Sequence, residues 1–257
     1  MTKLPVNKRF IDFSDYARPF ALMLVKILLP TRIGSYSITF SFLMVGLISA
    51  FLIYKGLNPV LTGILILVKS MLDAADGEIA RQRDEPSMVG RYLDSIFDFI
   101  VNVFLFLSIA LYFDQSILIM VIALVLFQLQ GSIFNYYYLV KRYQADGDQT
   151  SRILEFNEPK PFKRDNLVVL KILHKIYLII YGWQDFLIYK LDSNAIKGNE
   201  LPTWFLSLVS FMGLGFQLLI IAFLIVLDIH NYTFLFFISP YTVFAIIVIV
   251  IRRILVR

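Results

Sequence analysis

Four aspartates lie within the stretch MLDAADGEIARQRDEPSMVGRYLDSIFDFIVN, between Met71 and Asn102. Asp73 and Asp76 are three residues apart and Asp94 and Asp98 four, so each pair shares one helix face. If the two helices are antiparallel neighbours joined by a short loop, those faces point at each other and four carboxylates converge. Unneutralised, they repel one another. Divalent cations resolve the repulsion, and an all-oxygen ligand set suits hard ions such as Mg²⁺, Mn²⁺ or Ca²⁺. Two such ions about 3.5–4 Å apart form a clamp for displacement at phosphorus. For any single Asp, a solvated patch balanced by Arg81, Arg83 and Arg91 is the simpler reading; four in register on facing helices favour the metal site. Gly77 and Ala80, and Gly90 before the second pair, allow close approach of a ligand or of another helix. Arg81, one turn past Gly77, can fork onto a phosphate or anchor the topology. Glu78 falls on another face and is expected in solvent.

Stepping outward, the chain that must position these acids is very apolar. Of its 257 residues, 58% are hydrophobic and 17% charged, with 24 Phe and 14 Tyr. Soluble domains carry roughly 25% charge, and the mean hydropathy here is +0.73. Disorder, collagen and coiled coil are excluded. The long uninterrupted apolar runs argue for membrane helices rather than barrel strands of about ten alternating residues. There is no Cys, which excludes disulfides and thiolate metal sites, and the two His are too few for a His-rich centre. The net charge of +5 reflects basic loops and favours anionic lipid headgroups; it does not point to nucleic acid. The opening MTKLPVNKRFIDF lacks an apolar signal core and is expected to be retained.

The fold expected is an all-α integral membrane protein with six transmembrane helices. The spans run roughly Tyr36 to Tyr54, Leu61 to Ala75 (continuing as helix to about Gln82), Ile96 to Phe113, Ile117 to Tyr138, Trp204 to Leu227 and Phe234 to Ile251. Residues 1–35 form a cytoplasmic, interfacial segment whose Phe10 to Leu29 stretch reads as an amphipathic helix lying in the interface, broken by Pro30 and Gly34. Residues 36–257 form the transmembrane catalytic domain, with a cytoplasmic insertion over 141–199 between the fourth and fifth spans. Lys and Arg alternate with this count: Lys3, Lys8, Arg9, Arg18, Lys26 and Arg32 come first, Lys55 stands alone in the first loop, and Arg81, Arg83 and Arg91 fill the second. The third and fifth loops have none; the fourth begins with Lys141 and Arg142, and the tail holds Arg252, Arg253 and Arg257. Both termini and the acidic site are therefore expected on the cytoplasmic side. Leu167 to Tyr189 is long enough to be a seventh span, but that would place the basic C-terminus outside, so an interfacial or partly inserted helix is expected there.

Written as a motif, the acidic stretch is Asp73-x2-Asp76-Gly77-x2-Ala80-Arg81-x8-Gly90-x3-Asp94-x3-Asp98. It resembles the signature of the CDP-alcohol phosphotransferase superfamily at all eight defined positions, over 26 residues. Six spans after an interfacial helix also resemble that family's architecture; the 141–199 insertion departs from its compact members. The resemblance implies two ions, Mg²⁺ or Mn²⁺, held by Asp73, Asp76, Asp94 and Asp98, with Asp98 as general base for an acceptor hydroxyl. It implies a nucleotide pocket lined by Gly77, Ala80 and Arg81, with Gly90 allowing close approach. The donor would be a CDP-alcohol and the acceptor an alcohol or lipid, with CMP leaving and membrane lipids and a second copy, as a homodimer, for partners. CDP-diacylglycerol is the expected donor, as in the compact members; a CDP-choline- or CDP-ethanolamine-type donor with a lipid acceptor is the alternative. From a different class, the acids could be the cation site of a coupled transporter, or the motif could persist in a silent scaffold.

Other residues carry weaker expectations. Gln128, Gln130, Ser132 and Asn135 either line a polar cavity for an acceptor or bond between helices. Tyr136, Tyr137, Tyr138, Trp204 and Tyr232 read as an interfacial aromatic belt. Lys141 and Arg142 read as topology determinants or a phosphate site, His174 as a surface histidine, His230 as without a role, and Gly213 and Gly215 as packing sites or the mouth of a lipid groove.

Overall fold

A computed structural model describes residues 4–5, 8–145 and 151–255; Lys3, Arg257 and part of the expected insertion loop, 146–150, lie outside them. The described residues form helices and no strand. A single 3₁₀ turn, Phe13–Asp15, leads into helix α1 (Arg18–Leu28), so the interfacial segment is helical over a shorter stretch than its apolar pattern predicts. Asp12 starts the turn by accepting from the Ser14 amide, 3.0 Å, and Pro19 sits in the first turn of α1, where a missing N–H costs nothing. Ala21 and Val25 bury against Ile38, Ala75 and Ile79, while Phe20, Met23 and Ile27 remain exposed on α1, the two-faced pattern of a helix lying in an interface.

Helices α2 (Ser35–Tyr54), α3 (Pro59–Gln82), α4 (Met88–Tyr112) and α5 (Ile117–Gln144) follow as long rods. On α2, Phe42, Gly46 and Ala50 face the bundle, whereas Phe40, Met44, Ile48 and Phe51 are exposed. A helix apolar all round, with one side uncovered, is made for lipid. Gly46 is required by close packing: a Cβ there would sit 2.6 Å from the Val101 methyls of α4. Asn58 caps α3, taking the Leu61 amide at 3.0 Å, with Pro59 beginning the helix. After α5 come α6 (Leu167–Tyr177), a π-helical turn at Leu178–Gly182, and α7 (Trp183–Leu191). The chain closes with α8 (Thr203–Val209), α9 (Leu214–Val226), α10 (Thr233–Ile238) and α11 (Pro240–Leu255).

One expected span is bent, and another is interrupted at a single residue. The fifth bends by 45° between 203–212 and 214–226. Gly213 and Gly215 explain the site of the break, because a Cβ on either would overlap Ser14 of the N-terminal segment. They are packing positions that let that segment lie across the helix. The last span is interrupted only at Ser239, before Pro240, whose missing N–H removes one rung of the hydrogen-bond ladder, and 230–254 still runs as one span.

By length and composition, 35–54, 88–112, 117–144, 167–191 and 230–254 can each cross a membrane, and the bent pair makes a sixth. The expected six included α3 and left out 167–191. α3 falls outside this set because Lys69, Asp73 and Asp76 lie within its first 18 residues. These apolar helices make the chain an integral membrane protein.

Candidate active site

The α3–α4 connection is only residues 83–87, so the last turns of α3 and the first turns of α4 stand side by side. Arg83 fixes the corner: its guanidinium donates to the carbonyls of Ile33 (2.8 Å), Thr31 (2.8 Å) and Leu28 (3.0 Å) in the α1–α2 turn. It is a structural staple for three elements as well as a positive charge.

Three of the four motif acids converge. One carboxylate oxygen from each of Asp73, Asp76 and Asp94 lies within 4.8 Å of the other two. Asp76 is buried and accepts from the Thr39 hydroxyl of α2 at 2.7 Å. Asp94 Oδ1 is buried with no hydrogen-bond partner among the described residues. A buried carboxylate oxygen with nothing to accept is costly, and beside two further carboxylates its natural partner is a hard cation. The residues present therefore fit a divalent ion.

Asp98 is not in that close set. It accepts a hydrogen bond from Lys69 of α3, whose ammonium also donates to Asp73 Oδ2 at 2.9 Å. Lys69 is 1% exposed and lies 4.7 Å from the centre of the Phe42 ring. Sequence reasoning passed over it as part of an apolar run. A lone Lys in such a run, four residues before an Asp, was the available signal. Asn102 was also missed. It follows Asp94 and Asp98 on the same face, is 1% exposed, and neither Oδ1 nor Nδ2 has a partner among the described residues.

Around the acids, Arg81 donates to Glu78 at 2.8 Å. Glu78 also accepts from Arg18 of α1 at 3.2 Å and from Gln82 at 2.9 Å, so it is not the solvated acid its helix face suggested but the link between α1 and α3. A Cβ on Gly77 would stand 3.3 Å from Arg81 Nη1; the bare backbone gives that guanidinium room. Ala80 is half-buried. Gly90 gives its amide to the Ser87 hydroxyl at 2.9 Å, the N-cap of α4.

The stretch after α5 packs onto the start of α4. Asp165 accepts from the Ser87 hydroxyl (2.6 Å), the Met88 amide (3.0 Å), the Val89 amide (3.3 Å) and the Phe162 amide (2.8 Å). It thus satisfies N–H groups that open the helix carrying Asp94 and Asp98. Partial burial pushes its carboxyl up, but these four hydrogen bonds outweigh that and hold it below the usual range. Asp165→Ala is expected to cost about 1 kcal/mol, the usual worth of an N-cap side chain. With the folded-state value depressed, that stabilisation is present above about pH 4 and is lost as pH falls through the lower, folded value. Denaturant melts of wild type and variant should differ at neutral pH and converge on acidification; a gap unchanged at low pH would contradict the cap. Deeper in the same contact, Glu155 pairs with Arg91 at 2.5 Å and accepts from the Tyr92 hydroxyl at 3.1 Å and the Arg152 amide at 2.8 Å. His174 Nε2 contacts the Glu155 carbonyl at 2.7 Å and is buried, not the surface histidine expected. Tyr181 donates to the Ser95 carbonyl at 2.9 Å.

The polar residues of α5 do not form one cavity. Gln130 donates to Phe237 and Thr242, and Ser132 donates to Gln184, so these two bond between helices; Asn135 is exposed, and Gln128 is buried with its Nε2 unpartnered. Tyr136 and Tyr137 are buried, their hydroxyls on Asp192; Trp204 and Tyr232 are exposed, as belt residues are. Lys141 is buried on Glu200 (2.7 Å) and the Leu201 carbonyl (2.7 Å), and Arg142 is buried beside Tyr138, so neither is a free surface charge. His230 is buried against Tyr112 and Phe113.

The acidic corner between α3 and α4 falls inside a stretch that is similar to known proteins. The family model for CDP-alcohol phosphatidyltransferase matches residues 33–153, α2 to just beyond α5. A CDP-alcohol phosphatidyltransferase domain therefore occupies that part of the chain, with all eight motif positions inside it. Among curated proteins, the "Bifunctional IPC transferase and DIPP synthase" of Aquifex aeolicus (strain VF5) is 43% identical over 65 residues, which is 25% of this chain and 14% of that protein. The chain thus matches a small part of the relative's length.

Proposed function

We propose that this chain is a phospholipid-synthesising CDP-alcohol phosphotransferase. It moves the substituted phosphate of a CDP-alcohol, with CDP-diacylglycerol as donor, to an acceptor hydroxyl. The bond between that phosphorus and the CMP oxygen breaks, the acceptor oxygen takes its place on phosphorus, and CMP leaves. The observation that carries the reading is the convergence of Asp73, Asp76 and Asp94 within 4.8 Å on a complete family motif. The relative's name, a transferase and synthase, supports a transfer reaction.

Asp73, Asp76, Asp94 and Asp98 are the residues to hold two divalent ions, Mg²⁺ or Mn²⁺, which when bound supply charge neutralisation for the pyrophosphate and for the departing CMP. Asp98 is the group to take the acceptor proton. In this reading Arg81, with Gly77, Ala80 and Gly90 leaving room, binds the nucleotide phosphates, and Asn102 offers an amide donor and acceptor on the Asp98 face. Both termini and the site are cytoplasmic in this reading, following the Lys and Arg pattern, and the assembly is a homodimer. The test is incubation of the purified protein with CDP-diacylglycerol, CDP-choline and CDP-ethanolamine, a panel of acceptors, and Mn²⁺, with lipid products identified by mass. A product built from CDP-diacylglycerol supports the stated direction; one built from CDP-choline or CDP-ethanolamine reverses it.

A further inference from the structure

Lys69 is set apart by where it spends its charge. A lysine removed from water is costly unless paired. Here it donates to Asp73 Oδ2 at 2.9 Å and to Asp98 Oδ1, and the Phe42 ring covers it at 4.7 Å. Its carboxylate partners are two of the four motif acids, one inside the close set of three and one outside it. The ammonium therefore stands between Asp73 and Asp98, where a cation shared by those two carboxylates would also have to stand.

We propose that Lys69 is a resident cation of the site, and that it holds the chain to one divalent ion until the donor arrives. The proposal rests on the assignment of the four acids as metal ligands. Charge balance gives it direction. Four carboxylates and one ammonium carry a formal charge of −3. One divalent ion on Asp73, Asp76 and Asp94 brings this to −1, and a second would make the site positive until a pyrophosphate supplies negative charge. Without the lysine the acids alone balance two divalent ions. Lys69 is thus a positioning residue that orients Asp73 and Asp98 and makes the second ion conditional on the donor.

The experiment is a Mn²⁺ titration of the purified full chain, with free Mn²⁺ read by electron paramagnetic resonance and no donor present. Wild type is expected to bind one ion, Lys69→Met two, and Lys69→Arg, which restores the charge, one. A purely structural lysine would leave the stoichiometry unmoved. Two ions on wild type would overturn the proposal even if Lys69→Met does not fold, and one ion on a folded Lys69→Met would overturn it as well. In both cases the metal reading of the acids stands. No Mn²⁺ on any of the three proteins would instead remove that reading, and the proposal with it.

Discussion

Asp98→Asn is expected to lower CMP release by about 10²- to 10⁴-fold, the usual worth of a positioned general base, with folding and membrane insertion intact. Asparagine keeps the shape of the side chain and can still accept from Lys69, but it cannot take a proton from an attacking hydroxyl. Asp98 sits within α4, its side chain 13% exposed, with Lys69 as its hydrogen-bond partner, and the Lys69–Asp73 bond does not depend on it. The variant should elute from size exclusion and melt in detergent much as wild type does. CMP release measured at saturating donor and acceptor gives the rate. A rate within tenfold of wild type would remove Asp98 from the role of base.

The largest structural effect is expected at Glu155. Its side chain is 1% exposed, against 20% for its partner Arg91, and it also receives the Tyr92 hydroxyl and the Arg152 amide. Removing one member of a buried ion pair costs roughly 3–5 kcal/mol; Arg91 is part-exposed and also lies over the Tyr92 and Tyr177 rings, which places Glu155→Ala at the low end, about 3 kcal/mol. Replacing both Glu155 and Arg91 by Ala removes both members of the pair. The double variant should therefore be less destabilised than the two single losses added together, read as unfolding free energies in detergent. Strict additivity would show that the pair is not coupled. Arg91 follows Gly90 directly, so activity should fall with Glu155→Ala beyond what the loss of folded protein explains.

What could be read from sequence was whatever is local. The two Asp pairs and the short turn between them are contained in 26 residues, and helical periodicity with a tight connection suffices to bring them together. Lys69 is equally local, four residues before Asp73, but a single charge inside the apolar run of 59–72 does not change its hydropathy pattern. The contacts of the segment after α5 were not legible. Glu155 reaches Arg91 across 64 residues and Asp165 reaches Ser87 across 78, and no period or spacing announces such a pairing. The bend at Gly213 and the interruption before Pro240 were visible as residue types, but the reason for the first is the packing of Ser14, its side chain on Gly213 and its backbone on Gly215, some 200 residues earlier in the chain. Charge patterning had the same weakness. Lys141 and Glu78 read as surface charges, and each is instead held by partners from other elements; Arg142 is buried beside Tyr138 of its own helix.

The central claim is that the converged acids run a metal-dependent transfer from a CDP-alcohol. It is tested most directly by following CMP release from the purified protein with CDP-diacylglycerol and an acceptor alcohol, before and after removal of divalent metal by a chelator. The expected result is CMP formed in step with a lipid product, lost on chelation and restored by Mn²⁺ or Mg²⁺. Undiminished CMP release in the metal-free state would contradict it, as would cation flux in proteoliposomes with no CMP released from any donor.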